Sequence, residues 1–218
     1  MRIDNIIFYI MMGIECLLLI PFTLNYRLLD KTGKWAYYYL VSSVVYAVGA
    51  AALARLFKNN LWFSSFMDVA QFVILSVYYY KIIKNNFVRP LIKFLPIPAL
   101  IFFFVDFFKL EGVAAYTSIF GTIRTFLLLC YGMIFFAQLL FDEELVKESV
   151  FINSLPNFWF NAGLFIYLSC SFLDFLTYNF FLKLSLGDAT IPALVFVSGI
   201  LESILFYIGL LKAKKLRV

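Results

Sequence analysis

AAYTSIFGTIRTFLLLCYGMIFFAQLL, residues 114–140, decides the class of this chain. Almost every side chain in it is apolar or small, and Arg124 is its one charge. An apolar run of about 20 residues is long enough to cross the hydrocarbon of a bilayer as a helix. Six further runs of this kind flank it, at about 6–24, 35–53, 61–80, 91–108, 158–182 and 190–211, and the quoted run itself extends over about 113–141. Backbone groups in lipid have to be paired within their own segment, so helices are expected. The runs are too long and too uniformly apolar for the alternating strands of a membrane barrel.

The composition of the whole chain agrees. Its 218 residues are 64% hydrophobic, 21% aromatic and 14% charged, with a mean hydropathy of +0.93. Soluble domains carry about 45–50% apolar and about 25% charged residues. A soluble fold and a disordered chain are both excluded on these figures. The expected fold is all-α: a polytopic membrane protein with a single seven-helix transmembrane domain over residues 1–218.

Orientation follows from the loops. Arg27, Lys31, Lys34, Lys81, Lys84, Arg89, Lys93, Lys147, Lys212, Lys214, Lys215 and Arg217 fall on one side. Arg2, Arg55, Lys58, Lys109 and Lys183 fall on the other. This places the N-terminus outside and the C-terminus in the cytoplasm, in a multi-pass protein of the inner (cytoplasmic) membrane. The net charge of +5 is then a topology signal, and nucleic acid is not an expected partner, because the basic residues are dispersed at helix ends. Trp35, Trp62 and Trp159 lie near helix ends, where interfacial anchors belong. The first run reads as a retained helix, since Asp4 and Glu15 interrupt any signal-peptide pattern. The longest connection, Asp142–Asn157, opens with an acidic stretch and is expected to extend the fifth helix past the membrane surface.

The absence of histidine removes the commonest metal ligand and general base. Cys16, Cys130 and Cys170 match no metal spacing and read as small packing residues. No metal or cofactor is expected, and enzymatic activity is the less favoured expectation.

Interest centres on ionisable residues inside the runs: Glu15, Asp68, Arg124, Asp174 and Glu202. Each costs about 2.5–3.5 kcal/mol at a helix centre by insertion measurements, so they are expected to face an interior or a partner. Asp106 lies near the end of its run and reads as interfacial. Counting along the helices puts Asp68, Arg124 and Asp174 about a third of the way in from the outer side, at about 1.5 Å per residue. Glu15 and Glu202 fall near the midplane. Five helices thus supply charges to one narrow slab.

Helical spacing aligns polar residues on the same faces. Ser64, Asp68 and Gln71 share one face of the third run; Thr117, Arg124, Tyr131 and Gln138 recur at sevens in the fifth. Gly163, Tyr167, Ser171, Asp174 and Tyr178 align in the sixth. Ser198, Glu202 and Gly209 align in the seventh, and Tyr39, Ser42, Tyr46 and Gly49 in the second. Such stripes would line an internal cavity, and their small residues would equally suit close helix packing. Arg124 is expected to pair with Asp68 or Asp174, and Glu15 to approach Glu202 if the first and last helices meet.

The segments at 59–80 (NNLWFSSFMDVAQFVILSVYYY), 114–140 and 155–175 (LPNFWFNAGLFIYLSCSFLDF) resemble a group of uncharacterised seven-helix bacterial membrane proteins. Shared features are an N-L-W-like entry to the third helix, an arginine in the fifth, and a P-x-F-W entry with G-x-x-I-Y in the sixth. The resemblance implies that Arg124, Pro156, Phe158 and Trp159 are group features. It places Gln71 about where the group has its acid, with Asp68 one turn earlier. No activity comes with it. A retinal-binding lysine, a histidine zinc site, a glycine-rich phosphate loop and the proline-glutamine motif of small sugar carriers are all missing from this sequence.

The residues singled out for a ligand site or buried polar network are Glu15, Asp68, Gln71, Arg124, Tyr131, Asp174 and Glu202. Three uses are open: a receptor-like cavity for a small cationic or amphiphilic ligand, signalling to a cytoplasmic partner; a proton- or cation-coupled carrier; or a lipid hydrolase using a carboxylate pair such as Glu15 with Glu202. A purely structural role in holding helix register stands beside them. Membrane lipids are expected partners in every case.

Overall fold

The computed structural model describes residues 3–57, 59–112, 116–141, 151–184 and 190–216, with side chains for 9–57, 59–112, 116–141, 151–177 and 193–216. The described residues form helices and their connections, without strands. We number the helices α1 (Ile3–Leu24), α2 (Gly33–Phe57), α3 (Leu61–Ile82), α4 (Val88–Phe94), α5 (Pro96–Val105), α6 (Ser118–Phe141), α7 (Pro156–Leu184) and α8 (Thr190–Lys215).

Six stretches are long and apolar enough to cross a membrane: Gly33–Phe57, Leu61–Ile82, Val88–Leu110, Ser118–Phe141, Pro156–Thr177 and Ala193–Lys215. The apolar stretch Tyr9–Leu24 of α1 is shorter. Leu17, Ile101, Phe104, Phe126, Met133 and Leu176 are exposed on the outside of the bundle, while Phe22, Phe72, Phe120, Phe160 and Phe206 are buried within it. An apolar exterior around an apolar core is the arrangement that lipid contact requires. This is a multi-pass membrane protein.

Successive helices pack on their neighbours, and α1 also packs against α8, closing the ring. α3 sits centrally, touching α2, α4, α5 and α6. Helices α7 and α8 cross closely at Gly163. A Cβ on Gly163 would lie 3.1 Å from the Glu202 carbonyl oxygen and 3.1 Å from the Phe206 ring. Small residues permit backbone approach of this kind, and dispersion drives it in lipid.

Several expected boundaries shift. The run at 91–108 begins earlier, at Val88, and is split into α4, α5 and a π-helical turn, Asp106–Leu110. Pro96 and Pro98 have no N–H to donate, which breaks the ladder at Leu95, although the chain stays helical there. The run at 113–141 becomes helical only at Ser118; Tyr116 and Thr117 precede the helix, and residues 113–115 lie outside the described residues. The acidic stretch 142–149 also lies outside them, so its expected helical extension is not described.

Asp106, close to the end of its span, is fully buried within the protein. Its Oδ2 accepts a hydrogen bond from the Phe120 amide at 2.9 Å, and Glu111 Oε1 accepts one from the Ser118 hydroxyl at 2.6 Å. The first amides of a helix have no partner within it, and the N-terminus carries partial positive charge. Two carboxylates from the preceding turn therefore cap α6.

Candidate functional site

Between α1, α2, α3, α6, α7 and α8 lies a cavity of about 340 Å³. Helical spacing builds its walls. Glu15 follows Met11 and Met12 by one turn on α1; Ser43 and Ala47 follow Tyr39 at four and eight on α2; Asp68, Gln71 and Leu75 share a face of α3. Tyr167, Ser171 and Asp174 come from α7, Val195 and Phe196 from α8, and Tyr116 from the turn before α6. The structure thus brings Glu15, Asp68, Gln71, Arg124 and Asp174 to one cavity.

Arg124 is the organising group. Its Nη2 donates to Asp68 Oδ1 at 2.6 Å and its Nη1 to the Asp68 carbonyl at 3.3 Å. Of the two partners expected for the arginine, Asp68 is the one engaged. Asp174 lines the same cavity but makes no ion pair with Arg124 among the described residues. Instead α7 offers the arginine the Phe175 ring, whose centroid is 5.3 Å from the guanidinium carbon, and a cation is attracted by the face of such a ring. Tyr116 stacks on Phe175 with centroids 5.3 Å apart and planes 6° from parallel. Gly121, one turn before the arginine, makes room: a Cβ there would run into the Phe175 ring. Burial, and then the neighbouring Asp68 and Asp174, push the Tyr116 phenol well above its ordinary range, so it remains neutral.

Gln71 donates to the Ser43 hydroxyl at 3.3 Å across α2 and α3. Glu202 does not line the cavity. It is buried beside Tyr39, which does, and its Oε1 has no hydrogen-bond partner. Tyr131 is also placed elsewhere. Its ring packs 5.8 Å from that of Tyr79, and Tyr79 donates at 2.9 Å to Asn161 Oδ1.

The heptad stripe on α6 faces α3 more than the cavity. Thr117 donates to the Ser65 hydroxyl at 3.0 Å, Arg124 binds Asp68, Tyr131 meets Tyr79, and Gln138 donates to the Ile82 carbonyl at 3.1 Å. Both helices run in the same direction, so the contacts rise in step. Only Arg124 in this stripe reaches the cavity. The spacing of seven is equally consistent with a helix seam, and here it is one.

Sequence reasoning missed the aromatic and sulfur wall of Met11, Met12, Tyr116, Phe175 and Phe196, since apolar residues carry no polar signal in an apolar run. It also missed Asn161, fully buried between Gly132 and Tyr79. An amide side chain within an apolar helix was the available clue. Among the described residues no group of three or more His, Cys, Asp or Glu stands close enough to hold a metal ion. No protein-family model, curated protein or solved structure matches the chain.

Proposed function

We propose that this protein is a receptor-like bundle that binds a small organic cation in its acidic, aromatic cavity. The cavity carries the reading. Arg124 compensates Asp68, whereas Glu15 and Asp174 reach the same space with no cation paired to them among the described residues. Tyr39, Tyr46, Tyr116, Tyr167 and Phe175 supply aromatic rings to its lining. Carboxylates within aromatic walls suit an ammonium group, which gains from both. The size falls in the range of ligand pockets, about 300–1,000 Å³.

In this reading α1 is the seventh span, and the loop charges put the N-terminus outside and the C-terminus in the cytoplasm, in the inner membrane. The cavity reaches Tyr116, at the end of the bundle where α1 begins, so it faces outward. Short cytoplasmic connections leave signalling to a separate partner. Hydrolysis by Glu15 with Glu202 is disfavoured, because Glu202 lies outside the cavity lining.

The test is calorimetric titration of the purified protein with benzyltrimethylammonium. Glu15→Gln and Asp174→Asn should each weaken binding about tenfold, the equivalent of 1.4 kcal/mol. A neutral tert-butyl analogue should bind far less. Equal affinity in wild type and both variants sinks the proposal.

A further inference from the structure

Beneath the cavity runs a second polar feature that ligand binding leaves unexplained. Glu202 is held where α7 and α8 cross closely, and its Oε1 is buried and unpartnered. Among the described residues, the titratable groups near enough to interact electrostatically with it are Glu15 from α1, Tyr39 from α2, Tyr79 from α3 and Tyr167 from α7. None is a cation, and Arg124 is engaged by Asp68. An acid buried in a membrane bundle without a counter-charge is costly, and such groups mark ion pathways and proton relays.

Polar groups continue from it to the other end of the bundle. Tyr79 follows Gln71 and Leu75 of the cavity wall along α3. Its hydroxyl donates to Asn161, which in turn donates to the Gly132 carbonyl at 3.2 Å. Asn157 lies one turn from Asn161 on α7, and its Nδ2 donates to the Thr32 hydroxyl at 3.2 Å, in the connection between α1 and α2. Besides Glu202 Oε1, the Ser76 hydroxyl, the Tyr131 hydroxyl and Asn157 Oδ1 are buried there without partners. Buried polar atoms of this kind are ordinarily met by internal water.

We propose that Glu202 is a proton-transfer site joining the acidic cavity to the opposite end of the bundle, with Tyr79, Asn161 and Asn157 lining the route. In each passage the Glu202 carboxyl gives its O–H proton to water on one side and takes one from water on the other. Only O–H bonds break and form. Tyr39, which lines the cavity and faces Glu202, is the junction between the two regions.

The experiment uses the full chain in liposomes carrying a pH dye, with the membrane potential clamped by potassium and valinomycin. Wild-type proton influx should exceed that of protein-free liposomes about tenfold, and Glu202→Gln should abolish the difference while Glu202→Asp retains it. Tyr79→Phe keeps the ring packing, removes one hydroxyl, and should lower the influx. Influx no greater than in empty liposomes, or full influx in Glu202→Gln or Tyr79→Phe, overturns the proposal. Benzyltrimethylammonium binding by the same preparations separates the two readings. Influx with no probe binding sinks the cation cavity alone, and probe binding with no influx sinks the proton route alone.

Discussion

Asp68 and Arg124 form a buried pair whose side chains are 12% and 8% exposed. Removing one member of such a pair leaves the other charge uncompensated. Asp68→Asn should therefore cost about 3–5 kcal/mol of stability. Replacing both residues with leucine should recover most of that loss, because a well-packed apolar pair carries no desolvation penalty. Thermal unfolding in detergent of the two single variants and the double variant measures this directly. A double variant as unstable as the sum of the singles would show that the pair does not act as a unit. At this scale the sequence identified the charged residues but left two partners for Arg124. The choice was settled by Phe175, which occupies the α7 side of the guanidinium. A ring face offers no charge, so nothing in the pattern of acids pointed to it.

At the scale of elements, α6 owes its start to residues that precede it. Asp106 and Glu111 meet its first groups, and Asp106 does so while fully buried. Asp106→Ala should destabilise the protein by about 0.5–2 kcal/mol, the range for a lost helix cap. Hydrogen exchange should accelerate at the Phe120 amide and leave the middle of α6 unchanged. Unaltered exchange at Phe120 would remove the capping role. Hydropathy extended this helix back to residue 113 because it weighs apolar character and is blind to capping. The spacing of Thr117, Arg124, Tyr131 and Gln138 was legible, and so was their common face. Which helix that face would meet was not, since periodicity describes one helix and contact needs two.

For the whole molecule, the number of crossings decides where the ends lie. Six spans put the two termini on the same side, and a spanning α1 puts them on opposite sides. With α1 inserted, an N-terminal tag should be open to impermeant reagents in intact cells, and a C-terminal tag only after permeabilisation. Equal accessibility of both tags would remove α1 from the set of spans. The packing of α1 against both α2 and α8 is the geometry that favours insertion.

The sequence by itself determined the class: an all-helical, multi-pass membrane chain with a few costly charges held inside. That much follows from transfer energies, which depend on residue type and run length alone. It also identified four of the cavity's charged residues, because a charge within an apolar run has few places to go. Only the tertiary structure decided that Glu202 and Tyr131 stand apart from the cavity, that Asp106 is a buried cap, and that Asn161 bonds Tyr79 and Gly132 across three helices. Those are facts about distances between helices. Such distances arise from shape, from Gly163 letting α7 meet α8 and Gly121 letting Phe175 reach Arg124, and no single helix carries that information.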